Sequence, residues 1–251
     1  MLFQGPLDSL TRVLTIYLVQ GLICAWFLYL AYRILKRDRK RLNIIFSGFY
    51  LSAAIGLIFN FIYGPIAYEP AVLFLNYLTN FGSFFAPIFF VVFNLILLKS
   101  EKIVTTTKQL IIFIGYGIYM FCMIFFVLAG PEWGVQLNVG TGWAPVWSFP
   151  FFLYLFLGVT GIAIIPLLFL SFQIYNKFED EQLKKKWKFV IYGSIGLIGY
   201  MYAIFFSNWL ASILNPAESQ LVRNIVLPIG IVLAAISGYW MYIGVGRQLE
   251  K

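Results

Sequence analysis

Apolar residues run along the chain in seven stretches, roughly 13–35, 43–63, 71–98, 109–129, 150–175, 189–214 and 224–246. A helix needs about 20 residues to cross a hydrocarbon core of ~30 Å. All seven stretches reach that length. In lipid a helix pairs its own backbone groups, so the pattern predicts an all-α polytopic membrane protein, a bundle of seven transmembrane helices.

The third stretch carries the most polar side chains. Asn76, Asn80, Ser83 and Pro87 recur at steps of four, three and four, and Asn94 lies seven further on, which puts them on one helix face. A carboxamide facing lipid would leave donors and an acceptor unpaired at a cost of several kcal/mol. That face is predicted to look inward, with 71–98 as the central helix. In the second stretch Gly48, Ser52, Gly56, Asn60 and Gly64 recur every four residues, predicting a close, tilted crossing with a neighbour. The sixth repeats the device at Gly199, Ala203, Ser207 and Ala211, after Gly193 and Gly196. The fourth, with Gly115, Gly117 and Cys122 and no strongly polar group, is assigned to packing or lipid, and Pro166 is expected to kink the fifth.

The longest connection between stretches runs from Gly130 to Ser148. Val135, Leu137 and Val139 alternate with polar residues before Gly140-Thr141-Gly142, predicting a short β-hairpin. Its tryptophans, Trp133, Trp143 and Trp147, fit either an interfacial aromatic belt or a lid over the bundle. The lysine-rich stretch 177–188 is predicted to continue the fifth helix, with Asp180–Lys184 and Glu181–Lys185 pairs.

Charge adds an orientation. Sixteen of the eighteen Lys and Arg fall on one side of the weave, leaving Arg12 and Arg223 on the other. The positive-inside bias then predicts the N-terminus outside and the C-terminus in the cytoplasm of a cell's plasma membrane. The net charge of +8 describes an inner surface that attracts anionic inner-leaflet lipids. No basic patch is interleaved with aromatics, so no nucleic-acid partner is expected. The chain divides into a terminal segment 1–10, a single transmembrane domain 11–247 and a cytoplasmic end 248–251. Leu2-Phe3-Gln4-Gly5-Pro6 resembles a protease tag site and reads equally as native. The first span is expected to act as its own insertion signal.

The residue types narrow the chemistry further. Histidine is absent, and no Asp or Glu falls inside any of the seven stretches. Histidine-based acid–base catalysis and Ser-His nucleophiles are excluded on that ground, and no enzyme, metal or cofactor is expected. Cys24 and Cys122 read as small apolar groups inside spans. What remains is a neutral polar cluster. Gln20, Asn60, Asn76, Asn80 and Asn208 share one depth in the outer half of their spans. Each alone reads as interhelical hydrogen bonding at about 0.6 kcal/mol. Together they predict an outward-facing pocket for a small neutral or amphiphilic ligand, contacted by Asn60, Asn76, Asn80, Ser83, Asn208 and Trp209 and capped by Trp143 and Trp147.

Known seven-helix families leave most of their marks absent. The seventh stretch lacks a retinal lysine, and the receptor motifs of G-protein-coupled proteins are replaced by Leu98-Lys99-Ser100-Glu101 and Gly238-Tyr239-Trp240-Met241-Tyr242. The outline also matches sugar uniporters of the SWEET type, yet of their four span prolines only Pro166 is found. The chain resembles the seven-helix N-terminal sensor region of prokaryotic histidine kinases over about residues 10–247. The resemblance rests on topology, on Lys184-Lys185-Lys186-Trp187-Lys188 leading into the Gly-rich sixth span, and on the exit Arg247-Gln248-Leu249-Glu250-Lys251. It implies a sensor that signals to a separate cytoplasmic protein or to an output region outside this sequence, since no kinase domain lies within these residues. A neutral-solute uniporter and a structural subunit bound to other membrane subunits are the alternatives.

Overall fold

The computed structural model describes residues 13–246. The segment 1–10, Arg12 and the exit from Arg247 to Lys251 lie outside the described residues. Among the described residues seven helices are long and apolar enough to cross a membrane: α1 (Ile16–Arg37), α2 (Arg41–Tyr63), α3 (Glu69–Lys99), α4 (Thr106–Leu128), α5 (Phe149–Lys177), α6 (Glu181–Leu210) and α7 (Pro216–Val245). This is the architecture of an integral, multi-pass membrane protein. Large apolar side chains such as Leu22, Ile114, Phe125, Phe169 and Ile229 cover its outside, as a lipid-facing surface requires.

The central helix is α3. Of its most apolar window 56% is buried, against 17% for α4. It packs on α2, α4 and α5, while its Phe84 ring meets Phe205 of α6 edge-on at 4.7 Å. Pairs α6–α7, α7–α1 and α1–α2 close the ring around it. The helix α4 sits outside that ring. It is clasped to α5 by Tyr119 and Tyr154, each hydroxyl donating to the other's backbone carbonyl across stacked rings. Gln109 at its start is buried and polar, contrary to the sequence reading, because it accepts from Arg41 and donates to the Val104 carbonyl.

Small residues set the two tightest crossings. On α2 the predicted ladder meets α3, where Gly56 lies against Gly82 and Ser83 and the Ser52 hydroxyl donates to the Gly82 carbonyl at 2.7 Å. Between α6 and α7 the contact differs from the one expected. Gly193 and Gly196 face Ser237, whereas Gly199 meets only Leu233 at 3.8 Å and Ala211 falls past the helix end. A four-residue repeat drifts by about 40° per step, so the later members rotate off the α7 face.

Helix ends supply three further corrections. The lysine-rich stretch belongs to α6 and does not extend α5, because Asp180 caps α6 by accepting from the Gln182 N–H at 2.7 Å. As a cap it makes no pair with Lys184, which instead bridges to Glu181 at 2.9 Å. The helix α7 starts two turns before its apolar stretch. Asn215 and Glu218 form a reciprocal cap there, with the Glu218 N–H donating to Asn215 Oδ1 at 3.0 Å and the Asn215 N–H to the Glu218 carboxylate at 3.4 Å. In α5 the expected disturbance at Pro166 takes the form of a π-wound turn, Val159–Ile164, just before the proline.

The connection after α4 contains the predicted hairpin in reduced form. Strand β1 (Val135–Gln136) pairs antiparallel with β2 (Val146–Trp147), Val135 opposite Trp147. The intervening chain is held by Asn138 and Thr141, which cap each other, and turns through Gly142 and Trp143 at positive φ. Asn94, the last polar residue of the α3 face, lies about 21 Å from Asn80 along the helix. It donates to the Leu167 carbonyl and, at 2.7 Å, to the Ser171 hydroxyl. The Trp187 indole donates to the Ser171 carbonyl, so this separate knot ties α3, α5 and α6 together near the basic loops.

Candidate ligand cavity

The hairpin end of the bundle carries a cavity of about 450 Å³, walled by α1, α2, α3, α6 and α7 and partly roofed by Gly142, Trp143, Ala144 and Pro145. The volume lies in the ordinary range of small-molecule sites, roughly 300–1,000 Å³. Asn60, Asn76, Asn80, Ser83, Asn208 and Trp143 all line it. The α3 face delivers Asn76, Asn80 and Ser83, and the close approach of α2 at Gly56 brings Asn60 alongside one turn on.

Hydrogen bonds order these carboxamides without exhausting them. Asn80 donates to the Asn76 side-chain oxygen at 3.1 Å, and Asn76 donates to the Tyr63 hydroxyl at 3.2 Å. Asn60 donates to Gln20 of α1. Each carboxamide offers two N–H groups and an oxygen with two lone pairs, so every member of the chain keeps capacity toward the cavity. Asn208, half-buried on the opposite wall, has no hydrogen-bond partner among the described residues.

Two expected contacts point elsewhere. Trp209 follows Asn208 directly and turns by about 100° from it, away from the cavity lining. Its ring stacks on Phe152 of α5 at 4.7 Å. Trp147 is fully buried behind the cavity wall among Phe84, Phe151 and Phe205. On β2 alternate residues face opposite sides, and Trp147 takes the packed side.

Other wall residues escaped the sequence reading. Tyr63 and Thr79 join the polar lining, and α7 contributes Gln220, Arg223, Asn224 and Pro228. Their signal was the Asn215-Pro216-Ala217-Glu218 run, a helix start that makes 216–224 helical despite its polarity. Arg223 overturns the expectation of an uncharged interior. It is 8% exposed, sits about 10 Å into α7, and donates to the Pro145 carbonyl at 2.6 Å, tying the roof to the wall.

Beneath this chamber lies a second, of about 110 Å³, in the middle of the bundle. The two share Leu57, Ser83, Phe84, Tyr200 and Ile204. The lower chamber is walled mainly by apolar side chains, among them Phe27, Phe49, Leu197 and Met201. Tyr200 at the junction has room because Gly230 faces it, where a β-carbon would fall 2.5 Å from the ring.

No family model, curated protein or solved structure matches the chain. The cavity therefore speaks through its own chemistry. Among the described residues, neutral donors and acceptors together with Arg223 above an apolar floor suit reversible binding of a molecule with a polar end and an apolar body.

Proposed function

We propose that the chain is a non-enzymatic membrane sensor, receptor-like, with its N-terminus outside and its C-terminus in the cytoplasm of a plasma membrane. In this reading a small neutral or amphiphilic ligand enters the cavity and the bundle passes the event to a cytoplasmic partner. The observation that carries it is the roofed cavity on which Asn60, Asn76, Asn80 and Asn208 converge. The course of α7 supports the signalling half. It contributes to the cavity wall at one end, contains Pro228 at the cavity floor, and runs on to Val245 beside the basic loops. A proline inside a helix removes one backbone hydrogen bond and offers a pivot for a change begun at the wall. Below the lower chamber Phe46, Phe90, Phe93 and Trp187 are fully buried, which favours a sensor over a uniporter.

Orientation is tested by cysteine labelling in a background with Cys24 and Cys122 replaced by alanine. A cysteine at Gly140 is expected to react with an impermeant reagent from outside intact cells, and one at Lys185 to react only after lysis. The reverse pattern would invert the assignment.

Ligand binding is tested by a thermal-shift screen of small metabolites and lipids. A hit is expected to stabilise the wild type and to lose at least ten-fold in affinity in Asn80→Leu, which removes a polar anchor at similar volume. An undiminished shift in that variant would return Asn80 to packing. Flux of the hit into proteoliposomes without any partner would replace the sensor by the carrier.

A further inference from the structure

We infer that the lower chamber is a chain-binding subsite, and that the ligand is a single-chain lipid whose neutral head both donates and accepts hydrogen bonds. The inference rests on the upper cavity being a ligand site and adds the shape and head chemistry of what fills it.

The head follows from a ring of carboxamides at the mouth of the lower chamber. Leu57 of α2, Ser83 of α3 and Ile204 of α6 line both chambers and so mark their junction. Asn60, Asn80 and Asn208 stand three, three and four residues from them toward the hairpin. Three helices thus bring a carboxamide to one level, about 5 Å above the junction. Each carboxamide carries N–H donors and an acceptor oxygen on the same group. A head with hydroxyl or amide groups answers both, whereas an acceptor-only anion answers the N–H groups alone. Asn208 has no hydrogen-bond partner among the described residues, and a head at this level supplies one. Arg223 is engaged at the roof, where it donates to the Pro145 carbonyl.

The chain follows from the walls below that ring. Phe27, Phe49, Leu197 and Met201 make the lower chamber largely apolar, and the hydroxyl of Ser194 at its far end is spent on the Val190 carbonyl at 2.8 Å. A buried water needs two to four polar partners, so an apolar group suits this space better than water does. From Asn208 to Ser194 the two chambers extend about 21 Å along α6, past the junction at Ile204 and Tyr200. The lower chamber, at about 110 Å³, is smaller than the engineered apolar cavity of roughly 150 Å³ that holds one benzene ring. It takes one alkyl segment and has no room for the paired chains of a phospholipid. A sugar-like solute would need polar groups around its whole body, and these walls do not supply them.

The test uses decylglycerol carrying a photoreactive diazirine at its chain end, with full-length protein in nanodiscs of zwitterionic phospholipid. Cross-linked residues are mapped by mass spectrometry, and competitors are compared by the amount per mole of lipid that halves the labelling. The label is expected on the lower chamber, at Phe27, Phe49, Leu197 or Met201. Unlabelled decylglycerol is expected to displace it at least ten-fold more effectively than decyl sulfate, which is anionic, or the dimethyl ether of decylglycerol, which lacks donors. Ala53→Leu, which adds bulk to the lower wall from α2, is expected to lose the label. The wild-type map decides even where that variant does not fold.

Displaceable label confined to the upper wall, at Ile16 or Leu227, overturns the chain subsite and leaves the cavity as a ligand site. Unchanged labelling of the lower chamber in a folded Ala53→Leu protein does the same. Displacement by decyl sulfate within ten-fold of decylglycerol overturns the neutral head, and displacement by the dimethyl ether within that margin overturns the need for donors. Displacement by didecanoyl phosphatidylcholine overturns the single chain. Label that no competitor displaces, scattered over lipid-facing residues such as Leu22 and Ile229, reports bilayer partition only. In that case the cavity reading fails and this inference with it.

Discussion

Trp147→Ala is expected to destabilise the protein by about 3–5 kcal/mol, the usual cost of removing a buried tryptophan and leaving a cavity behind. The ring is fully buried, edge-on to Phe84 and Phe151 at 6.1 and 5.2 Å and tilted against Phe205 at 5.6 Å. It thereby joins the hairpin to α3, α5 and α6 at one point. The indole N–H has no hydrogen-bond partner among the described residues, so Trp147→Phe sacrifices volume only and should cost clearly less. Trp133, 56% exposed on the same connection, provides the control. Its alanine variant should stay within about 0.5 kcal/mol of wild type. Thermal unfolding in detergent checks all three. A Trp147→Ala protein of undiminished stability that had lost ligand binding would make Trp147 a ligand contact after all.

The three tryptophans show where sequence pattern stops being informative. An aromatic residue in a connecting loop reads alike whether it lies in a headgroup layer, roofs a cavity or plugs a core. Only the register of the two-residue ladder, Val135 opposite Trp147, sends Trp147 inward. Polar residues within apolar helices are a sharper signal, because lipid leaves them few places to point. Asn76 and Asn80 four apart on α3 were legible for that reason, and so was Asn60 on the small-residue face of α2. Trp209 was misplaced by treating neighbours on one helix as neighbours in space. Asn208 lines the cavity, whereas the Trp209 ring is taken up by Phe152 of α5.

Hydropathy hid the charged part of the wall. A window that ranks residues by transfer energy starts the seventh span at Asn224, where the polar run ends, and so assigns Gln220 and Arg223 to a loop. The backbone obeys a different rule. Asn215 ahead of Pro216, with Glu218 three residues after Asn215, begins the helix two turns earlier. The same error moved the lysine-rich segment from α6 to α5, where Asp180 was read as half of an ion pair and acts as a cap. Spans are set by hydrophobicity and helices by their caps. The cavity wall lies in the difference between the two.

The second large effect is expected at the α2–α3 crossing. A β-carbon on Gly82 would stand 2.8 Å from the Gly56 nitrogen, 2.9 Å from its Cα and 3.3 Å from the Ser52 carbonyl oxygen. All three are backbone atoms of α2, so no side chain can turn aside to make room. The helices must part, stretching the Ser52 to Gly82 hydrogen bond and loosening the wall that carries Asn60 and Asn80. Overpacking a tight core costs about 1–3 kcal/mol, and more where backbone opposes backbone. Gly82→Ala is therefore expected to lose about 1–3 kcal/mol despite alanine's better helix propensity, and Gly82→Leu to prevent assembly of a monodisperse protein. Gly115→Ala on α4 supplies the contrast, since nothing lies within 4 Å of the added carbon. That variant should be neutral or gain up to about 1 kcal/mol from propensity alone. Unfolding temperature and elution profile after detergent extraction separate the outcomes. Equal behaviour of Gly82→Ala and Gly115→Ala would mean that α2 and α3 are not locked at this crossing, and Asn60 would lose the support that brings it to the cavity.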